Sequence, residues 1–151
     1  MNINKVFIRE ATLNDINGLS KLISQLGYPI SVADMTQSLS TYLNNNNYYV
    51  YVAVFNETVV GVASVIINDY FHKIGRIAIV TAFCIDETHR RAGIGKLLMN
   101  FVEQQAKYNS CNFVELKSGL HRIKDGSHNF YKKLGYIDNA ANQTYFKKRL
   151  I

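Results

Sequence analysis

The residues best suited to chemistry lie together mid-chain, in the run His89-Arg90-Arg91-Ala92-Gly93-Ile94-Gly95. Arg90, Arg91 and Lys96 gather positive charge around two glycines spaced G-x-G, and an amphipathic pattern (Ile94, Leu97, Leu98, Phe101, Val102) starts at once. The first N–H groups of a helix have no partner inside it, and the helix dipole favours an anion there. Gly93 and Gly95 carry no side chain, so a ligand can approach the backbone closely. Phosphate binding is the chemistry this favours. The plainer alternative is a helix start whose glycines only turn and pack the chain, and G-x-G by itself does not separate the two. Two nucleotide motifs are excluded: the dinucleotide fingerprint needs a third glycine where Leu98 stands, and no G-x-x-x-x-G-K-[ST] run occurs.

The elements around this run follow from periodicity. VFIRE (Val6 to Glu10) reads as a first strand. Thr12 or Asn14 then caps a helix carrying Ile16, Leu19, Leu22, Ile23 and Leu26 at helical spacing, ended by Gly27. A second helix runs from a cap at Ser31 to Leu43, and the asparagines Asn44 to Asn47 form a loop. YYVYVAVF and VVGVASVII read as a hairpin turning at Asn56 and Glu57. RIAIVTAFCID (Arg76 to Asp86) is nearly all apolar, as a strand buried on both faces would be. The helix opened by the basic run follows, then a strand at Phe113 to Lys117 and a short helix over Ser127 to Leu134 stopped by Gly135. TYFKKRL reads as a last strand. The order β-α-α-β-β-β-α-β-α-β predicts a mixed α/β sandwich in one domain, residues 1–151.

Composition bounds the function. At 151 residues, 48% hydrophobic and 19% charged, the chain fits one globular core. Its formal charge of +6 would suit an anionic partner, but the cations are dispersed (Arg90, Arg91, Lys96, then Lys132, Lys133, Lys147, Lys148, Arg149) and form no dense stripe interleaved with aromatics. No nucleic-acid partner is expected. No run is long enough to span a membrane, and MNINKVFIREAT lacks the features of a signal peptide, so no membrane partner and a cytoplasmic location are expected. Cys84 and Cys111 read as reduced, largely buried thiols, and no Cys/His spacing suggests zinc, so no metal is expected.

Arg90-x-x-Gly93-x-Gly95 resembles the pyrophosphate loop of the GNAT superfamily of acetyl-CoA-dependent N-acetyltransferases. The resemblance extends over most of the chain: the two early helices, the central strand, the loop and its helix, FVELK, and the ending FYKKLGY. The tail SGLHRIKDGSHNFYKKLGY looks like the branch acting on small-molecule amines. The resemblance implies an α/β fold of the acyl-CoA N-acyltransferase type, a mixed β-sheet flanked by helices. It implies acetyl-CoA as co-substrate, bound by the backbone of Phe83, Cys84 and Ile85 and by the loop Arg90, Arg91, Ala92, Gly93, Ile94, Gly95 and Lys96. It further implies transfer of an acetyl group to a primary amine of a small molecule by direct attack in a ternary complex, with Tyr131 as the acid that protonates the departing thiolate. A phenol, with an ordinary pKa near 10, can serve if it lies close to the sulfur. On spacing alone Tyr131 reads rather as an aromatic packing beside Phe130 and Leu134, and only the family motif favours the acid. Cys84 would be a bystander.

Two departures from the family stand out. The glutamate that many members place on the central strand to deprotonate the amine is Thr81 here, beside Ala82; Asp69, Glu115 and His121 are the alternatives. The asparagine often found two turns before the tyrosine falls on Lys124. The acceptor pocket is expected from the first two helices, the hairpin and Asp69 to His72, lined by Tyr28, Tyr42, Tyr70 and Phe71, with Tyr28, Asp69 and Tyr70 touching the substrate. A homodimer is compatible with the resemblance. Two other readings stay open: a non-catalytic acyl-CoA sensor or protein-interaction module, and an acetyltransferase acting on protein N-termini or lysines.

Overall fold

A computed structural model describes residues 1–151, which divide into two compact units, Met1–Lys117 and Ser118–Ile151. The first unit holds a five-stranded sheet in the order β1 (Phe7–Glu10), β2 (Tyr48–Phe55), β3 (Thr58–Asp69), β4 (Arg76–Ile85) and β5 (Cys111–Leu116). β1 to β4 pair antiparallel in sequence order, and β5 joins β4 in parallel. The parallel step requires a crossover, supplied by α3 (Ile94–Tyr108). α1 (Ile16–Gln25) and α2 (Val32–Leu43) connect β1 to β2.

The strict alternation of β2 explains how both faces are covered. Val50, Val52 and Val54 point to one face and meet Leu19 and Leu22 of α1, Leu39 of α2, Val62 of β3 and Cys84 of β4. Ala53 points to the other and joins Val6, Val60 and Ile94 at the start of α3. Leu22 and Leu98 are fully buried; burial of a leucine side chain contributes roughly 1.5–3 kcal/mol. The β2–β3 hairpin turns at Asn56 (φ 46°) and Glu57 (φ 62°), both left-handed as a two-residue type I′ loop demands. Close packing of side chains on this face of the sheet needs Gly61, where a Cβ would lie 2.8 Å from Ile85 Cδ1 and 3.2 Å from Ala53 Cβ.

Several expectations hold in detail. Ser31 caps α2, its side chain accepting the Asp34 N–H at 3.0 Å. Thr12 caps a 3₁₀ turn (Leu13–Asp15) that leads into α1. There Asp15 accepts both Arg9 guanidinium nitrogens at 2.7 and 2.8 Å, tying β1 to the helix entry. Others are corrected. β4 lies next to the edge of the sheet rather than at its centre and is only partly buried, with Thr81 exposed. Cys111 is half-buried rather than buried; both cysteines remain thiols.

The second unit contains a 3₁₀ turn (Leu120–Ile123) and α4 (Ser127–Lys133), stopped by Gly135 at φ 91° as expected. The predicted last strand, TYFKKRL, does not form, and residues 143–151 are exposed without regular structure. Its pattern explains why. Tyr145 and Phe146 are adjacent rather than alternating, and Lys147, Lys148 and Arg149 follow as three consecutive cations, so neither face could be buried.

Candidate active site

β3 and β4 pair without interruption except at one point, where Ser64 faces Ala82 and Val65 faces Val80. Thr81 is the extra residue, a β-bulge that bends the strand. On the other side, the register of β4 with β5 ends at Val80 opposite Leu116, while β4 itself continues to Ile85. The β4–β5 pairing therefore stops before Thr81 to Ile85, the stretch that includes the predicted Phe83, Cys84 and Ile85.

β4 runs straight into a turn built on a buried carboxylate. Asp86 is 2% exposed. Its Oδ1 accepts from Gln25 Nε2 at 2.9 Å and lies 3.5 Å from Lys21 Nζ, both on α1. Its Oδ2 contacts His89 Nδ1 at 2.8 Å and accepts from Thr88 Oγ1 at 3.0 Å. Gln25 closes the arrangement by accepting the Glu87 N–H at 3.0 Å. Burial alone would push the Asp86 carboxyl upward. The hydrogen bonds from Gln25, His89 and Thr88, with the charge of Lys21, outweigh it and hold the group well below the usual carboxylate range. The turn is thus anchored to α1 before the basic run begins.

The run itself has the backbone of an anion cradle. Arg91 (φ 61°) and Gly93 (φ 86°) are left-handed, with Ala92 between them on the ordinary side. Alternating hand turns successive N–H groups toward one concavity. The N–H groups of Arg91, Ala92 and Gly93 donate to no backbone acceptor, and the first helical bond of α3 is Leu97 N–H to Gly93 C=O at 3.1 Å. Gly93 caps α3 without a side-chain hydrogen bond, so the first turn (Ile94, Gly95, Lys96) keeps its unfilled donors. Around them Arg90, Arg91 and Lys96 are exposed. Arg90 also staples the turn, its Nε donating to the Ile85 carbonyl at 3.1 Å. Ile94 and Leu98 are buried beneath and fix the helix against the sheet. The predicted Arg90 to Lys96 thus form one continuous site, entered directly from Phe83, Cys84 and Ile85.

The remaining predicted residues are placed as follows. The Cys84 side chain is buried in the core among α1, α2 and β2 residues. Tyr131 lies in the second unit on α4, half-buried, with the Phe130 ring at 5.1 Å and the Tyr136 ring at 6.0 Å. Tyr28 and Phe71 are 68% and 106% exposed. Asp69 and Tyr70 lie at the β3–β4 hairpin, the opposite end of β4 from the loop. Asp69 pairs with Arg76 at 3.2 Å, and Tyr70 packs on His72 at 5.5 Å beneath the Lys73 ammonium. Glu115, His121 and Lys124 are exposed. Tyr42 reaches the bulge: its hydroxyl lies 2.8 Å from Thr81 Oγ1, which in turn lies 2.7 Å from Ser64 Oγ.

Sequence reasoning missed two groups, the Asp86 anchor and the Ser64–Thr81–Tyr42 hydroxyl cluster. Gln25 and Asp86 are 61 positions apart and Tyr42 and Thr81 are 39 apart, so no local pattern joins them. Only the adjacency of Asp86, Thr88 and His89 carried a local hint of a side-chain-stabilised turn.

A mixed sheet with a bulged β4 that outruns β5 leads into a basic nest and a helix start without a side-chain cap. The sequence profile of the Acetyltransferase (GNAT) family matches residues 19–136, and the chain belongs to that family. The fold has solved counterparts. A GNAT family acetyltransferase from Staphylococcus aureus is 24% identical, with 97% of this chain and 99% of that one covered, at a TM-score of 0.81. An aminoglycoside acetyltransferase from an uncultured soil metagenomic sample, in complex with sisomicin, is 21% identical over 99% and 100% at 0.81. Glucosamine-6-phosphate N-acetyltransferase from Arabidopsis thaliana is 18% identical over 96% and 97% at 0.76. No curated protein matches the sequence significantly. No helix is long and apolar enough to cross a membrane.

Proposed function

We propose that this acetyltransferase moves an acetyl group from acetyl-CoA to the primary amine of a small molecule, by direct attack in a ternary complex and in the cytoplasm. The observation that carries the reading is the start of α3, where unfilled backbone donors, a left-handed Gly93 and exposed Arg91 and Lys96 converge. That donor set fits a diphosphate: it is made of amides and cations and contains no carboxylate. Arg90 to Lys96 would hold the diphosphate, and the backbone of Phe83, Cys84 and Ile85 would align the arm of the co-substrate along β4. Bound there, acetyl-CoA supplies an activated thioester carbonyl.

The residues then position and protonate. The amine nitrogen forms the new N–C bond, the C–S bond breaks with its electron pair on sulfur, the nitrogen loses a proton and the sulfur gains one from Tyr131. Cys84 takes no part, because its thiol is packed in the core. The names of the aminoglycoside and glucosamine-6-phosphate enzymes support a small-molecule acceptor. The absence of a carboxylate at Thr81 favours one rival, an acyl-CoA-binding sensor. A thiol-release assay over a panel of primary amines, run with wild type and Tyr131→Phe, separates the two. The enzyme reading expects turnover with at least one amine and a loss of kcat of tenfold or more in Tyr131→Phe, with CoA affinity unchanged. Unaltered CoA binding in both proteins and no turnover in either would favour the sensor.

A further inference from the structure

The turn that leads into the nest is gripped from α1 by one side chain that uses both halves of its amide. Gln25, the last residue of α1, accepts the Glu87 N–H at 3.0 Å and donates to Asp86 Oδ1 at 2.9 Å. A backbone N–H can only donate, so Oε1 must face Glu87 and Nε2 is left for the carboxylate. Both directions are fixed. The two bonds hold the Asp86–Glu87 link through the side chain of one residue and the backbone of the next. Lys21, one helical turn earlier on the same face of α1, adds its charge to Asp86 at 3.5 Å.

Downstream lies a loop that needs holding. The Asp86 N–H is tied to the Val60 carbonyl at 2.9 Å, and the His89 N–H closes the turn on the Asp86 carbonyl at 2.8 Å. Two residues further on, Arg91 is left-handed at φ 61° without being glycine, a conformation that a side chain disfavours. Arg91 therefore depends on its flanks. On the far side α3 is fixed by buried Ile94 and Leu98. On the near side stands the Asp86 turn. α1 itself is locked in the core through Leu19 and Leu22. Gln25 thus carries the position of a core-packed helix to a loop whose cations are exposed.

Resting on the acetyl-CoA reading of the nest, we propose that Gln25 is a positioning residue for the co-substrate. It acts through the Asp86–Glu87 link, holding the amides of the Arg90 to Lys96 run in the conformation that receives the diphosphate. Only molecules with the loop so held bind, and the apparent Kd rises as their fraction falls. Acyl transfer follows binding and needs nothing from Gln25, so the effect falls on CoA affinity and leaves kcat alone.

Two variants test this. Gln25→Met keeps the length and helix preference of the side chain and makes neither bond. Gln25→Glu keeps the acceptor for Glu87 but sets a second carboxylate against Asp86. Calorimetric titration of the folded proteins with CoA at about pH 8 should give a Kd about tenfold above wild type for both, the worth of one to two hydrogen bonds. KM for acetyl-CoA should rise in step, with kcat at saturation within twofold of wild type. Acid separates the variants. Once protonated, the introduced carboxyl can donate to Asp86 and accept from Glu87 as the amide does. The charged groups around it are Asp86, which raises its pKa, and Lys21 and His89, which lower it. With each Kd taken as a ratio to wild type at the same pH, the Gln25→Glu deficit should shrink between about pH 8 and about pH 5, while that of Gln25→Met persists. A wild-type Kd in Gln25→Met overturns the proposal, even where its Tm falls, since that marks a merely structural role. So does a Gln25→Glu deficit that acid leaves unchanged. If wild type itself binds no CoA, the functional reading fails and this inference with it.

Discussion

Replacing Asp86 by asparagine should weaken the protein by an amount set by the charge alone. The substitution keeps the size of a side chain that is 2% exposed and held by Gln25, Lys21, His89 and Thr88. The amide oxygen can still face Gln25 and Lys21. Its NH₂ then faces His89 and Thr88, both of which can turn to accept. What disappears is the charged character of the bonds. Hydrogen bonds to charged groups contribute about 1.5–3 kcal/mol against about 0.5–1.5 for neutral ones. Counting the closest partner of each oxygen, Gln25 at 2.9 Å and His89 at 2.8 Å, a net loss of about 2–3 kcal/mol follows on that scale. For a chain of this length, that lowers Tm by roughly 4–12 °C. The pH dependence gives the sign. The folded Asp86 carboxyl is depressed below its unfolded value, so its contribution is complete above the ordinary pKa near 3.9 and is lost as pH falls through the folded value. Thermal unfolding of wild type and Asp86→Asn from neutral pH downward should show a gap that is full at neutrality and narrows below about pH 4. Equal Tm values at pH 7, or a gap that persists into strong acid, would refute the anchoring role.

Three other substitutions probe the loop and its supports. Gly93→Ala meets no atom closer than 3.9 Å, so only the positive φ resists it; it should cost about 1–2 kcal/mol in denaturant unfolding and weaken CoA binding in a titration. Gly61→Ala drives a Cβ against Ile85 and Ala53, and should destabilise by about 1–3 kcal/mol, read by the denaturant midpoint. Cys84→Ala should keep most turnover and lose roughly 1–2 kcal/mol of stability from the core, as measured by thiol release and chemical unfolding; an acetylated Cys84 on the turnover path would contradict the bystander role.

The sequence was most readable where local chemistry decides the structure. The Ser31 cap, the Asn56-Glu57 turn and the Gly135 stop all stand where they were expected, because each satisfies a backbone need within a few residues. The backbone of the basic glycine run was readable for the same reason: its turn is made by its own residues, with Gly93 left-handed. Apolar content misled at β4, since β-branched residues suit a strand whether it is central or next to the edge. TYFKKRL misled because strand propensity counts for little without a face to bury. The Asp86 anchor and the hydroxyl cluster were hidden by distance in the chain. Tyr42 was singled out for its ring, but the structure pairs its hydroxyl with Thr81, the extra residue of the β4 bulge.

The central claim is that Arg90 to Lys96 cradle the diphosphate of CoA, and thermal unfolding with acetyl-CoA, CoA, ATP or NAD added separately tests it most directly. A ligand present at about 100 times its Kd stabilises the folded state by about 2.7 kcal/mol. For a chain of this length that raises Tm by roughly 5–10 °C. This rise is expected with acetyl-CoA and CoA and none with ATP or NAD. No rise with either CoA species at millimolar concentration would reduce the Arg90 to Lys96 run to a helix start and contradict the account.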